Sequence, residues 1–282
     1  MLSDFEDKTV IITGGSRGVG AACARRFAAG GANIVLVART RKYLDRIAEE
    51  LHGEAKVTTV AMDVADPDAC INMLKKARFE YEGVHLLVNN AGFHARGRLV
   101  DNEAEDLGRM VDVNLRAPIM LTRLAIPFIK ESGGGAIINV ASLAGCVPVP
   151  DAATYSATKF GLRAFSFALA EELEGSGIKV AVVSPGPIDT GFIMDDIDKV
   201  SDLTFSQPMS TADQVAEEIV RLCGNRRREK AMPASSGWLA AIGYLFPALR
   251  RALLPFFRKK GQRVKRQLKA EKRAARASDA KE

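Results

Sequence analysis

The sequence predicts an α/β fold, a doubly wound parallel sheet with helices on both faces, and three observations carry that prediction. Short apolar runs alternate with longer stretches of helical period. The runs are apolar at successive positions, not at every second one, as in strands buried on both faces. A glycine-rich turn, Thr13-Gly14-Gly15-Ser16-Arg17-Gly18-Val19-Gly20, joins the first run to the first helical stretch.

In chain order, strands are expected at Thr9 to Ile12, Asn33 to Ala38, Lys56 to Ala61, Val84 to Asn89, Ala136 to Val140 and Lys179 to Ser184. Helices are expected near 18–30, 41–52, 67–82, 102–130, 152–175 and 211–223. The segment Gly191 to Ser210 has no clean period and carries Phe192, Ile193, Met194, Leu203 and Phe205 just past a strand's C-terminal end, which makes it a candidate substrate lid. A chain of 282 residues suffices for one large domain of this class.

The net charge of +6 conceals an asymmetry: residues 226–282 carry 17 Lys/Arg against 4 Asp/Glu, a net of +13, which leaves −7 for residues 1–225. Basicity belongs to the tail, so the overall charge says nothing about the body's partners. Cys23, Cys70, Cys146 and Cys223 are far apart and form no C-x-x-C pair, so neither a metal site nor a disulfide framework is expected, and the thiols suit a reducing compartment. The acidic Met1 to Asp7 has no apolar core and does not resemble a signal peptide, so a cytoplasmic location is expected.

The glycine turn ends a strand and opens a helix. Gly14, Gly18 and Gly20 allow positive φ and close backbone approach, while the unpaired N–H groups of the helix start favour a pyrophosphate, with Ser16, Arg17 and Val19 in the same loop. Roughly twenty residues on, where an NAD site carries an acidic residue for the ribose 2′-OH, the chain has Arg39. Arg17 and Arg39 together would clamp a 2′-phosphate, which favours NADP(H); a single arginine is more commonly a solvated surface charge.

Tyr155 and Lys159 stand at i and i+4 of an expected helix and so share a face. A lysine cation near a phenol favours the phenolate and brings its pKa toward the working range of an acid-base catalyst. Ser142 follows the strand ending at Val140, where a hydroxyl could polarise a carbonyl or simply cap a turn.

The ordered set Thr13-Gly14-x3-Gly18-x-Gly20, Asn89-Asn90-Ala91-Gly92, Asn114, Ser142, Tyr155-x3-Lys159 and Pro185-Gly186-x3-Thr190 resembles the short-chain dehydrogenase/reductase family over roughly residues 7–232. The resemblance implies a Rossmann fold and a set of roles. Tyr155 would be the general acid in carbonyl reduction, Lys159 would hold the nicotinamide ribose and lower the tyrosine pKa, Ser142 would orient the carbonyl, and Asn114 would anchor a water linked to Lys159. Asp63 and Val64 would contact the adenine, Asn90, Ala91 and Gly92 would line the cofactor floor, and Pro185, Gly186, Ile188 and Thr190 would hold the carboxamide. Ser142-Leu143-Ala144-Gly145 and Ile188-Asp189-Thr190 look like the branch containing 11β-hydroxysteroid dehydrogenase type 1 and related reductases of lipid-like ketones.

Residues 233–282 extend beyond that catalytic domain of residues 1–232. Trp238, Leu239, Ile242, Leu245, Phe246, Leu249, Leu253, Phe256 and Phe257 fall on one helical arc, followed by Arg258-Lys259-Lys260 and the basic run Arg263 to Arg276. The apolar stretch is too short to span a bilayer, and Pro247 and Pro255 are expected to divide it into short helices. It reads as an interfacial anchor on anionic lipid, with a cover over the substrate cleft and a disordered solubilising tail as competing readings. No recognition motif supports a nucleic-acid arm. The function expected is NADPH-dependent reduction of a hydrophobic ketone, reversible in principle, at or near the inner membrane face. A soluble 3-oxoacyl carrier-protein reductase and a non-catalytic cofactor-binding scaffold are the alternatives. A homo-oligomer is expected, a dimer in preference to a tetramer because the extension departs from the usual carboxyl-terminal packing.

Overall fold

Neighbouring residues on a strand point to opposite faces of the sheet, and here both faces are buried. Val10 and Ile12 join a cluster with Phe27, Leu44 and Ile219, whereas Ile11 between them joins another with Leu74, Leu121 and Leu169. The computed structural model describes residues 5–279, with side chains through residue 272. Met1 to Asp4 of the acidic N-terminus and the side chains of Arg273 and Arg276 of the basic run lie outside the described residues.

The chain runs β1 (Thr9–Thr13), α1 (Gly18–Ala28), β2 (Asn33–Ala38), α2 (Arg41–Glu50), β3 (Val57–Ala61), α3 (Pro67–Tyr81) and β4 (Leu86–Asn89). It continues through α4 (Ala104–Val111), α5 (Ala117–Glu131), β5 (Gly135–Val140), α6 (Ala153–Glu172) and β6 (Ile178–Pro185). Then come β7 (Ile188–Asp189), α7 (Gly191–Met194), β8 (Ser210–Thr211), α8 (Ala212–Gly224), β9 (Glu229–Met232), α9 (Ala234–Leu245) and α10 (Pro247–Asp279). Seven parallel strands are ordered β3-β2-β1-β4-β5-β6-β9. Ile11 sits in register with Val35 on one side and Leu87 on the other. The order reverses between β1 and β4, and the crevice beyond the strand ends at such a reversal is where ligands bind in this architecture.

Three features differ from the sequence expectation. The long helix of 102–130 is divided by a π-helical turn at Asp112–Arg116, which leaves the overall helical period intact. A seventh strand, β9, completes the sheet beside β6, although its Glu229 and Lys230 lack the apolar character of the other strands. Pro247 does separate α9 from α10, but α10 continues through Pro255. Proline removes one helical hydrogen bond; Pro255 lies on the exposed side of α10, as does Arg251, whose carbonyl is thereby freed to water.

The candidate lid is tied at its base by the β7–β8 pair, Ile188 to Ser210 and Asp189 to Thr211. Its Ile193, Ile197, Val200 and Phe205 pack against Val264 and Leu268 of α10. Lys265 Nζ donates to the carbonyls of Val200 at 2.6 Å and Asp198 at 3.2 Å, and Lys272 Nζ to that of Met194 at 2.6 Å. A Cβ on Gly261 would lie 1.8 Å from the Asp202 carbonyl oxygen, so only glycine lets the helix approach this closely. The basic extension is thus a clasp on the lid along part of its length.

Candidate active site

The glycine turn is held from below by the segment after β4. Thr13 Oγ1 accepts from the amides of Asn90 and Ala91, both at 3.0 Å, and Asn90 Nδ2 donates to the carbonyls of Thr13 at 2.9 Å and Gly14 at 3.2 Å. The Asn90 side chain is therefore a brace for the turn. Gly14 has φ +66°, and a Cβ on Gly20 would lie 2.2 Å from the Gly14 carbonyl oxygen. The first-turn N–H groups of α1 lack intrahelical partners and open on a cavity of about 730 Å³.

This cavity joins nearly every residue singled out from the sequence. It is lined by Gly14 and Ser16 to Val19, by Arg39, Asp63 and Val64, and by Asn90 to Gly92. Ser142, Tyr155, Lys159, Pro185, Gly186, Ile188 and Thr190 complete that set. Gly20 lies behind the turn, and Asn114 is wholly buried. Arg17 forms an exposed ion pair at 3.8 Å with Asp195 of the lid. Burial pushes the Asp63 carboxyl up, but the Ala65 amide at 2.9 Å, the Arg109 guanidinium and the more distant Arg39 hold it below the ordinary carboxylate value.

Tyr155 and Lys159 both face inward from α6. Burial pushes the phenol above its ordinary value, opposed by the Ser142 hydroxyl and the Arg96 guanidinium. The sequence expectation gives the lowering role to Lys159, whereas the groups that lower the phenol here are Ser142 and Arg96. Lys159 Nζ donates to the Val140 carbonyl at 2.9 Å and stands 5.7 Å from the Tyr155 ring centre, and burial lowers its own pKa to about 8. Ser142 Oγ accepts from the Ala144 amide at 3.1 Å. Asn114 grips the loop after β4: its Oδ1 accepts from the Phe93 amide at 3.0 Å and its Nδ2 donates to the Phe93 carbonyl at 2.8 Å. Gly92 sits between, where a Cβ would be 3.0 Å from Asn114 Oδ1 and 3.7 Å from Lys159 Nζ.

Sequence reasoning missed two residues at this site. The His94 ring stacks on Tyr155 with centres 4.3 Å apart, and burial, with Arg96 and Lys159, lowers its pKa to about 3. Arg96 lies beside it, 5.2 Å over the Phe192 ring. Neither carries a local signal, because a histidine or arginine in a loop is usually a solvated residue. The tail arc is also divided. Leu239, Ile242, Leu249, Leu253 and Phe257 line the cavity, whereas Trp238, Leu245, Phe246 and Phe256 face outward.

A doubly wound sheet whose glycine turn shares one cavity with a serine, a tyrosine and a lysine defines a nucleotide-dependent oxidoreductase of Rossmann type. The chain belongs to the short-chain dehydrogenase family, whose model matches residues 8–200. It is 31% identical over 285 residues to dehydrogenase/reductase SDR family member 7B of Bos taurus, covering 96% of this chain and 85% of that protein. It is 35% identical over 187 residues to sulfoacetaldehyde reductase 2 of Chromohalobacter salexigens, covering 66% and 74% respectively. L-sorbose reductase from Gluconobacter frateurii, solved with NADPH and L-sorbose, superposes with a TM-score of 0.72 at 29% identity over 82% of this chain and 97% of that one.

Proposed function

We propose that the chain is an NADPH-dependent reductase of hydrophobic, lipid-like ketones, with residues 1–232 forming the cofactor-binding reductase domain and residues 233–282 the outer wall of the substrate half. The observation that carries this reading is one cavity holding the glycine turn, Ser142, Tyr155 and Lys159 at one part and the apolar side chains of α9 and α10 at another. The residues fit a dinucleotide. The turn from Gly14 to Gly20 is packed too tightly for side chains at either glycine, so it presents bare backbone; the start of α1 presents free N–H groups, and Arg17 and Arg39 supply cations for a 2′-phosphate. When bound, NADPH would supply the hydride.

The chain's own residues would handle the rest. Ser142 would hold the substrate oxygen, and Tyr155 would give that oxygen its proton as charge develops on it. A phenol kept protonated by burial is suited to the donor role. Lys159 would bind the ribose and supply a cation beneath the tyrosine, and Asn114 would keep the Gly92–Phe93 backbone in place beside it. Thr190, whose methyl lies within 3.5 Å of a Cβ built on Gly18, would close the cofactor site where the lid begins.

Screening lipid ketones for NADPH oxidation tests the assignment, with Tyr155→Phe as the control. Turnover is expected to fall by about two orders of magnitude or more, the contribution of a positioned general acid, while NADPH still binds. Unchanged turnover would overturn the mechanism. The outward Trp238, Leu245, Phe246 and Phe256, with exposed Arg251, Arg258, Lys259 and Lys260 on the same helices, support docking on an anionic cytoplasmic membrane surface. No helix among the described residues is long and apolar enough to cross a membrane.

A further inference from the structure

The loop after β4 brings a cation into the substrate half of the cavity. Arg96 is half-buried and lines the cavity with Tyr155, Phe192 and the tail residues. Its position is built: Nη1 donates to His94 Nδ1 at 3.3 Å, Nη2 donates to the Phe192 carbonyl, and the guanidinium stacks over the Phe192 ring. Asn102 Nδ2 fixes the loop from behind through the carbonyls of Arg96 at 3.3 Å and Arg98 at 2.9 Å. Among the described residues no carboxylate lies within ion-pair distance of Arg96, on which the Asp196 carboxylate acts only from farther away, in contrast to Arg98, which is paired with Asp101 at 2.8 Å. Of the five N–H donors of a guanidinium, two have protein partners among the described residues.

A cation is seldom placed in a partly apolar cavity without compensation, because desolvation penalises it. Holding the lid through Phe192 would need a donor but no charge. A charge beside the tyrosine, with donors to spare, is suited to an anionic group carried by the ligand. We infer that Arg96 is a substrate-anion subsite, and that the substrate is an amphiphile with an acidic group close to its reducible carbonyl and an apolar chain against α9 and α10. This rests on the reductase reading above and narrows its substrate class. Carboxylate, sulfonate and phosphate share the relevant chemistry, and the probes below separate carboxylate from phosphorus acids.

The test has a kinetic arm and a binding arm. Full-length protein and Arg96→Met are assayed with 3-oxooctanoate and its uncharged methyl ester. The wild type is expected to favour the acid, and Arg96→Met to lower the acid-to-ester ratio of kcat/KM by about ten- to a hundredfold, the loss of one charge-assisted hydrogen bond, with partial recovery in Arg96→Lys. An arginine that only braces the lid would depress both substrates alike and leave the ratio unchanged, which overturns the inference. In calorimetry, octylphosphonate is expected to bind the wild type more tightly than octanol, and Arg96→Met to remove the difference. If neither ketone turns over but this binding difference depends on Arg96, the subsite stands and the reductase reading falls. If ketones turn over while acid and ester are treated alike by both proteins, and phosphonate and alcohol as well, the subsite falls and the reductase reading stands. A preference for octylphosphonate without a preference for 3-oxooctanoate assigns the site to phosphorus acids.

Discussion

Lys159 and Tyr155 face one cavity one helical turn apart, yet burial acts on them in opposite directions. It lowers the ammonium to about 8 from an ordinary 10.5 and raises the phenol above its ordinary value. The free enzyme therefore keeps the Lys159 cation below about pH 8 and loses it as pH rises through that value, well before the phenol ionises. If the cation is needed to bind the ribose, kcat/KM for NADPH should fall above about pH 8, and Lys159→Arg, charged throughout, should move that descending limb upward. A limb that stays put in Lys159→Arg would assign it to another group. At the adenosine end, Arg39→Asp replaces a cavity-lining cation by an anion, so NADPH affinity should fall by about tenfold or more while NADH changes much less; titrating both cofactors measures this, and a wild type that prefers NADH would refute the clamp. Tyr155 and Lys159 were legible as a pair because i, i+4 spacing puts them on one helix face, and Ser142 only as part of the ordered motif set. Arg96 and His94 were not, because nothing local distinguishes a loop arginine that lines a cavity from one in solvent.

Among the elements, the five inner strands were legible because two-faced burial demands continuous apolar runs; of the two edge strands, β3 keeps Val57, Val60 and Ala61, whereas β9 is held by ions. Glu229 accepts from Arg163 at 2.6 and 2.7 Å and from Ser184 Oγ at 3.0 Å, tying β9 and β6 to α6, the helix that carries Tyr155 and Lys159. These bonds depend on tertiary position and have no signature in the local pattern. Glu229→Gln would leave Arg163 partly uncompensated and should destabilise the protein by about 1–3 kcal/mol, seen as a lower denaturation midpoint with an unchanged m-value. No change in the midpoint would show the pair to be energetically idle. The π-helical turn at Asp112–Arg116 escaped detection for a different reason: one extra residue barely shifts a helical period, yet Asn114 in that turn grips Phe93.

For the whole molecule, the decisive question is what the extension does, and its apolar arc serves two surfaces at once. The inner part lines the cavity that holds Tyr155 and Lys159, and beyond the arc Lys265, Val264 and Leu268 clasp the candidate lid. The outer part exposes Trp238 at 74%, Phe246 at 58% and Phe256 at 65%, beside basic residues. A cleft cover and a membrane anchor are therefore compatible roles for one amphipathic segment, and truncation alone cannot separate them. Ending the chain at Met232 should abolish vesicle binding and also impair turnover, even of a small water-soluble ketone, because wall and clasp are lost together. The combined change Trp238→Ser, Phe246→Ser and Phe256→Ser spares both. It should leave turnover of that ketone close to wild type while lowering partitioning onto phosphatidylglycerol vesicles by about tenfold or more, given the apolar area removed. Added salt should release the wild type only in part, since ions screen the basic residues but not apolar insertion. Sedimentation decides the matter: if wild type and triple variant pellet equally, the outer face is not a membrane surface, and the extension acts solely as the wall and clasp of the active site.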